Sequence, residues 1–414
     1  MNLITTAVNA VRTKSSKQAA ETEKSIAASK GETAGLTVSS DGSWRKRGFS
    51  SLFGFVTLIG WHTGKVLDVL VKSKYCKCCE HWNKKCDTAE YEEWAAHHES
   101  VCQTNHSGSA GKMEVDAILE MFRRSEDLYN TRYAFYIGDG DSKTYKGIVD
   151  GKPYDDLVVV KKECIGHVQK RMGTRLRNLK KQVKNLGGKG KLIVTDKLID
   201  ELSVYYGLAI RRNCDSVEAM RNDIWATLYH KISTNENPQH EKCPIGPNSW
   251  CTWQQAAAAN TLSIYDHKPP MSTEIFNAIQ KVYQDLTTED LLSRCLGGYT
   301  QNSNESFNSI VWTIAPKSIS SGKKILDIAV DIAAILFNEG FKGLFEVMAL
   351  LGLKIGYETY NFCHEIDEHR VRAAEHSSSA SRKEARKEHV SARKETEEHN
   401  LNLEGMLYGP GISE

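Results

Sequence analysis

Only 8 prolines interrupt the 414 residues, and no window of about 20 residues is apolar enough to span a bilayer. The best such stretch, Ile325 to Leu353, carries Asp327, Asp331, Glu339 and Glu346, so a buried helix pair is expected and no membrane partner. Met1 to Ala10 lacks the long apolar run of a secretory signal. An excess of either charge is missing too, because 54 basic side chains face 52 acidic ones; partners must be read from local clusters. With 40% hydrophobic residues the chain is neither wholly disordered nor collagen-like, and its length suffices for a sizeable core. No repeat period emerges. Cysteine is not scarce. Eleven of them, an odd number at uneven spacing with CxxC- and CxxH-like pairs, point to metal ligation in an intracellular chain rather than to disulfides.

Residues 1–33 are mostly Ser, Thr, Ala, Lys and Glu and read as a flexible or marginally helical arm. Strand patterns follow at Leu36–Ser40, Leu52–Trp61 and Val66–Val71, with a turn at His62-Thr63-Gly64. Met113 to Tyr129 has helical spacing, Tyr133–Ile137 is β-prone, and Leu157–Val160 offers a fifth strand. That order predicts a mixed α/β sheet with covering helices. The expected division is a first core part at 34–165 with a Cys/His loop at 74–108, a basic helical insertion at 166–294 with a second Cys/His cluster, a core completion at 295–360 ending in an apolar helical hairpin, and a charged tail at 361–414.

Acidic residues cluster where strands end. Asp41 lies in SSDGSWRKRG, Asp139 and Asp141 in YIGDGDSKTY, and Glu305 in GYTQNSNESFNSIVW. Each alone is an ordinary turn or helix-start residue. Together, carboxylates at the ends of neighbouring elements can hold two divalent ions about 3.5–4 Å apart, which clamp the attacking and leaving oxygens of a phosphoryl displacement. Oxygen ligands suit Mg²⁺ or Mn²⁺.

These blocks, together with GKVLDVLVKSKYCKCC, KKECIGHVQKRMGTRLR and HEKCPIGPNSWC in that order, resemble the Mutator-like transposases of animal genomes over most of the chain. The resemblance implies a ribonuclease H-like domain with a D-D-E metal site and a helical insertion before the last acid. The first acid is then Asp41, the second Asp139 or Asp141, and the third Glu305; the family's CxxH element matches Cys164 and His167. It implies a nuclear protein that cuts transposon ends and joins them to target double-stranded DNA, working as a homo-oligomer. One departure is the short stretch before Asp41, where family members commonly carry further DNA-binding sequence. The alternative is a domesticated, non-catalytic, zinc-stabilised DNA-binding protein; a weaker third reading is a ribonuclease H-like nuclease.

Cys76-x2-Cys79 and His98-x3-Cys102 have the spacing of a closed zinc site, with Cys78, Cys86, His81, His97 and His106 as nearby competitors for its ligand positions. Cys164-x2-His167 and His240-x2-Cys243 are two half-sites that a shared zinc would join, with His230 and Cys251 flanking the second. Between Lys161 and Lys191, eleven Lys/Arg stand against the single acid Glu163, and the apolar positions Val168, Met172, Leu176, Leu179 and Val183 put them on a helix. Lys170, Arg171, Arg175, Arg177, Lys180 and Lys181 are therefore expected to form a stripe against DNA phosphates, joined by Arg45, Lys46 and Arg47 beside Asp41.

Overall fold

The computed structural model describes residues 2–46, 51–139, 142–183 and 194–378, so Arg47, Asp141 and the chain beyond residue 378 lie outside the described residues. Two compact units divide it, Val8–Asn338 and Met1–Ala7 with Glu339–Glu414.

The larger unit is built on a mixed five-stranded sheet of β1 (Leu36–Trp44), β2 (Phe53–Gly60), β3 (Val66–Ser73), β4 (Tyr133–Gly138) and β5 (Val160–Glu163), in the order β3-β2-β1-β4-β5. β1, β2 and β3 form an antiparallel meander, whereas β4 runs parallel to β1 and β5 parallel to β4. Every residue of β2 is buried, which explains the unbroken apolar run FGFVTLIG: both faces of this strand are covered. Alternate residues feed different cores. Val56 and Leu58 pack with Ala117, Ile118, Met121 and Phe122 of α4 (Ala110–Arg123), while Phe55 and Ile59 pack with Phe307 and Val311 of a helix on the opposite face.

Three helices precede α4: α1 (Asn2–Ser29), then α2 (Lys77–Trp82) and α3 (Ala89–His98) in the Cys/His loop. α5 (Ser125–Tyr129) leads into β4, and α6 (Ser142–Gly151) makes the crossover to β5. A helical region follows, with α7 (Ile165–Gln182), α8 (Asp196–Arg212), α9 (Val217–His230), α10 (Thr252–Ala258), α11 (Thr273–Leu286) and α12 (Glu289–Cys295). Its core joins Val168, Met172, Tyr206, Ile210, Ile224 and Tyr283. Thr195, Ser216, Ser272 and Thr288 accept backbone N–H bonds as N-caps and set where α8, α9, α11 and α12 begin. α13 (Asn302–Ile314) and α14 (Lys323–Glu339) close the second face of the sheet.

In the smaller unit, α15 (Leu344–Leu350) and α16 (Tyr357–Ser378) follow a tight turn at Gly340. There Asp367 accepts the backbone N–H groups of Phe341 and Lys342 at 2.8 and 3.2 Å. Gly340 has φ +78° and a Cβ on it would stand 2.6 Å from the Asp367 carboxylate, so only glycine fits. The apolar segment expected as one helical hairpin thus falls in two units, α14 ending the larger and α15 starting the smaller.

Three local expectations need correction. Residues 2–29 form one helix rather than a flexible arm, burying Val8, Val11, Ser15, Ala19, Glu23 and Ala27 along one stripe. That stripe is made mainly of small side chains, whose hydropathy is too weak to stand out. Asp41 lies within β1, opposite Thr57, not beyond the strand's end. The fifth strand is the polar Val160–Glu163 and not Leu157–Val160, because Arg171, Lys161 and Arg294 neutralise the buried Glu163.

Glu23 is fully buried and accepts the backbone N–H groups of His62 and Thr63 at 2.8 and 2.7 Å, fastening α1 to the β2–β3 turn. A Cβ on Gly60 would stand 2.5 Å from Oε2 of Glu23, so the strand end and the carboxylate fit closely. Replacing Glu23 with Ala should orphan both N–H groups and lower stability by about 1–3 kcal/mol in urea unfolding; an unchanged midpoint would contradict this fastening role.

Candidate active site and metal centres

α13 docks on β1 through a ladder of polar contacts. Ser39 Oγ donates to Asn304 Oδ1 at 2.6 Å, Asn308 Nδ2 donates to Asp41 Oδ2 at 2.7 Å, and Trp312 Nε1 donates to Ser43 Oγ at 2.7 Å. The helix positions are four apart and the strand positions two apart. Four helical residues rise about 6 Å and two strand residues about 6.6 Å, so the two repeats stay in step over three rungs. Asn304 is fully buried and also donates to Ser39 O and Thr57 Oγ1. One turn earlier, Gln301 donates to Ser40 O at 2.6 Å and meets His167 Nδ1 through its Oε1 at 3.0 Å. Glu305 follows Asn304 directly and comes within electrostatic reach of Asp41.

The electrostatics of Asp41 report which groups have converged. Burial pushes its carboxyl above the ordinary carboxylate range; His167 and the Asn308 hydrogen bond pull it down, and the charges of Glu305 and Asp139 push it up again. Asp41 thus lies within electrostatic reach of His167, Glu305 and Asp139. His167 is raised above its ordinary value by the Cys164 thiol and the Asp139 carboxylate, burial opposing. Cys164 is lowered: burial alone would raise it, but the hydrogen bonds to His167 outweigh that. Lys170 Nζ stands 3.9 Å from Glu305.

The basic run on α7 is mostly paired with acids of its own fold. Arg171 pairs with Glu163, Arg175 with Asp285 at 3.5 Å, Arg177 with Asp200 at 2.6 Å and Lys180 with Asp196 at 3.1 Å. Lys170 and Lys181 are exposed. Near Asp41, Arg45 donates to the carbonyl and hydroxyl oxygens of Ser321, and Lys46 is exposed. The helix has the expected position and apolar face; a continuous stripe of unneutralised charge is not what it presents.

Among the described residues, two groups of side chains could hold a metal ion. Cys76, Cys79, His98 and Cys102 come together as their spacing suggested, with Cys79 Sγ 3.2 Å from His98 Nε2 and 3.4 Å from Cys102 Sγ. Burial would raise the Cys76 thiol, but backbone N–H groups of Cys79, Gln103 and Cys78 outweigh it and lower it to about 6, favouring the thiolate that binds metal. His98 is held by Trp94, stacked at 4.4 Å. The second group is His230, His240, Cys243 and Cys251. The shared zinc expected between Cys164-x2-His167 and His240-x2-Cys243 is not formed: α7 carries the first pair to Gln301 and Asp41, and α9 and the α10 turn complete the second pair locally. His230 and Cys251, noted in the sequence only as flanking, are full members. Asn308 had no signal in the sequence, since a lone amide is informative only once its partner is known.

Both groups could hold zinc. Cys79→Ser should lose one bound zinc per chain and raise amide hydrogen exchange across residues 76–102, while α4 and the sheet remain protected; unchanged exchange in that loop would show that the metal does not order it.

The family model described as Mutator-like transposase matches residues 1–251. That span holds the whole sheet, Asp41, Asp139, the first Cys/His group and all four residues of the second, and it stops before Glu305. No curated protein and no solved structure matches the chain. With well over half of its residues inside that model, the chain belongs to the Mutator-like transposase family.

Proposed function

We propose that this chain is a metal-dependent DNA transposase of the D-D-E class, with Asp41, Glu305 and one of Asp139 or Asp141 as its metal-binding acids. The reading rests on Asp41, half-buried in β1 and held by Asn308 at 2.7 Å, lying within electrostatic reach of Glu305 and Asp139, which arrive from different elements. Like charges gathered around a buried carboxyl are costly unless a cation or protons accompany them. A buried oxygen supports the same reading: Asn308 Oδ1 has no hydrogen-bond partner, while the Nδ2 of that amide holds Asp41. The donor set is all oxygen, which fits Mg²⁺ or Mn²⁺. The strand order, with an antiparallel meander followed by two parallel strands, supports a ribonuclease H-like fold.

Two divalent ions bound there would supply Lewis-acid stabilisation of the attacking and leaving oxygens. The chain's own residues do the rest. Asn308 orients Asp41, Gln301 ties His167 to β1, and Lys170 lies where a DNA phosphate would take over from Glu305 as its counter-charge. The Arg175–Asp285 and Arg177–Asp200 pairs of α7 are largely exposed and each worth about 1 kcal/mol or less, so phosphates can exchange with these carboxylates at little cost. Two transposon ends call for more than one copy of the chain, and the substrate places its action in the nucleus.

Incubation of wild type with a supercoiled plasmid carrying the element ends should give cleavage at those ends with Mg²⁺ or Mn²⁺ and none with chelator. Asp41→Asn and Glu305→Gln should lose cleavage while keeping the fold and salt-sensitive DNA binding. Comparing Asp139→Asn with Asp141→Asn identifies the second acid. Cleavage retained in Glu305→Gln would refute the assignment, and binding without cutting by wild type would replace it with a domesticated, zinc-stabilised DNA-binding protein.

A further inference from the structure

We propose that His230, His240, Cys243 and Cys251 bind a structural zinc ion whose ligand geometry is imposed from outside by His267 and Asn235. The inference does not depend on the transposase reading. It starts from one backbone donor. The N–H of His267 donates to Asn235 Oδ1 at 3.0 Å, which settles which side of that amide is oxygen; its Nδ2 donates to Asp266 at 2.7 Å. The same oxygen lies 2.6 Å from His267 Nδ1, so that nitrogen carries a proton. In the neutral ring, Nε2 of His267 is then an acceptor. It stands 2.9 Å from His240 Nε2, which must donate to it. His240 is left with its lone pair on Nδ1.

That lone pair faces one imidazole nitrogen and two thiol sulfurs, the donor types that ligate zinc. His240 Nδ1 lies 3.2 Å from His230 Nδ1, 3.4 Å from Cys251 Sγ and 3.8 Å from Cys243 Sγ, and Cys251 Sγ is 3.6 Å from His230 Nδ1. His240, Cys243 and Cys251 are all at least 97% buried. A zinc tetrahedron with bonds of about 2.0 Å to nitrogen and 2.3 Å to sulfur has edges of about 3.3 Å between nitrogens and about 3.5 Å between nitrogen and sulfur. The four separations above lie close to those edges, and all four donors lie within 4.8 Å of one another. Two nitrogens and two sulfurs in a closed, buried set match a structural zinc site. The His240 ring is fixed further by Trp253, stacked at 4.9 Å, and its backbone carbonyl accepts from Gln254 Nε2. Such a zinc fastens the end of α9 to the start of α10, and through His267 it secures the 259–272 segment that has little apolar anchoring of its own.

Metal analysis of the full-length chain should show one zinc fewer per chain in Cys251→Ser than in wild type. Competition against a chromophoric zinc chelator, in a Cys79→Ser background that removes the other site, should show affinity falling 10–100-fold in His267→Ala. His267→Gln keeps an acceptor for the His240 Nε2 proton and should recover most of that loss. Should Cys79→Ser fail to fold, the same comparison is read from the two-step release of zinc by the chain with and without His267→Ala. Zinc content unchanged in Cys251→Ser, or equal affinity in wild type and His267→Ala, would overturn the proposal. None of these readouts uses DNA, so they stand apart from the cleavage test.

Discussion

The contact on which the larger unit's candidate site depends is the polar seam between α13 and β1. A helix and a strand can share a row of hydrogen bonds only while their repeats remain commensurate, and four helical residues nearly equal two strand residues in rise. Asn304, Asn308 and Trp312 exploit that match against Ser39, Asp41 and Ser43. Because these groups are buried or half-buried and directional, they set both the depth and the register of α13, which an apolar interface would leave freer to slide. Glu305 is positioned by this seam, and Gln301 extends it to α7 through His167.

Charge is handled differently in the two halves of that site. Around Asp41 the fold brings acids from different elements within electrostatic reach, with the Asn308 amide, His167 and Lys170 beside them. On α7 it matches arginines and lysines with carboxylates from β5, α8 and α11. Structural needs explain the second arrangement, since unneutralised charges in such a row would repel one another. A site that tolerates destabilising charge is where function is to be sought.

Where apolar side chains are too few to order a segment, Cys/His groups take over. The 76–102 loop is largely exposed, and the 231–272 segment is anchored chiefly around His240, Cys243 and Cys251. Four metal-ligand bonds can order such segments without a large core.

How much was legible depended on the range of the interaction. The sequence by itself determined the succession of the first four strands, the amphipathic α4 and α7 and the first Cys/His set, because periodicity and CxxC spacing are local patterns. It did not reveal that residues 2–29 form a packed helix, since a stripe of Ala and Ser has little hydropathic contrast, nor that the charged Val160–Glu163 is a strand, since its neutralising partners Arg171 and Arg294 come from other elements. The pairing of His240 and Cys243 with His230 and Cys251, the self-neutralisation of the basic helix and the place of Asn308 beside Asp41 were decided only by tertiary structure. Each is a choice among chemically equivalent partners, and only the fold brings one of them within reach.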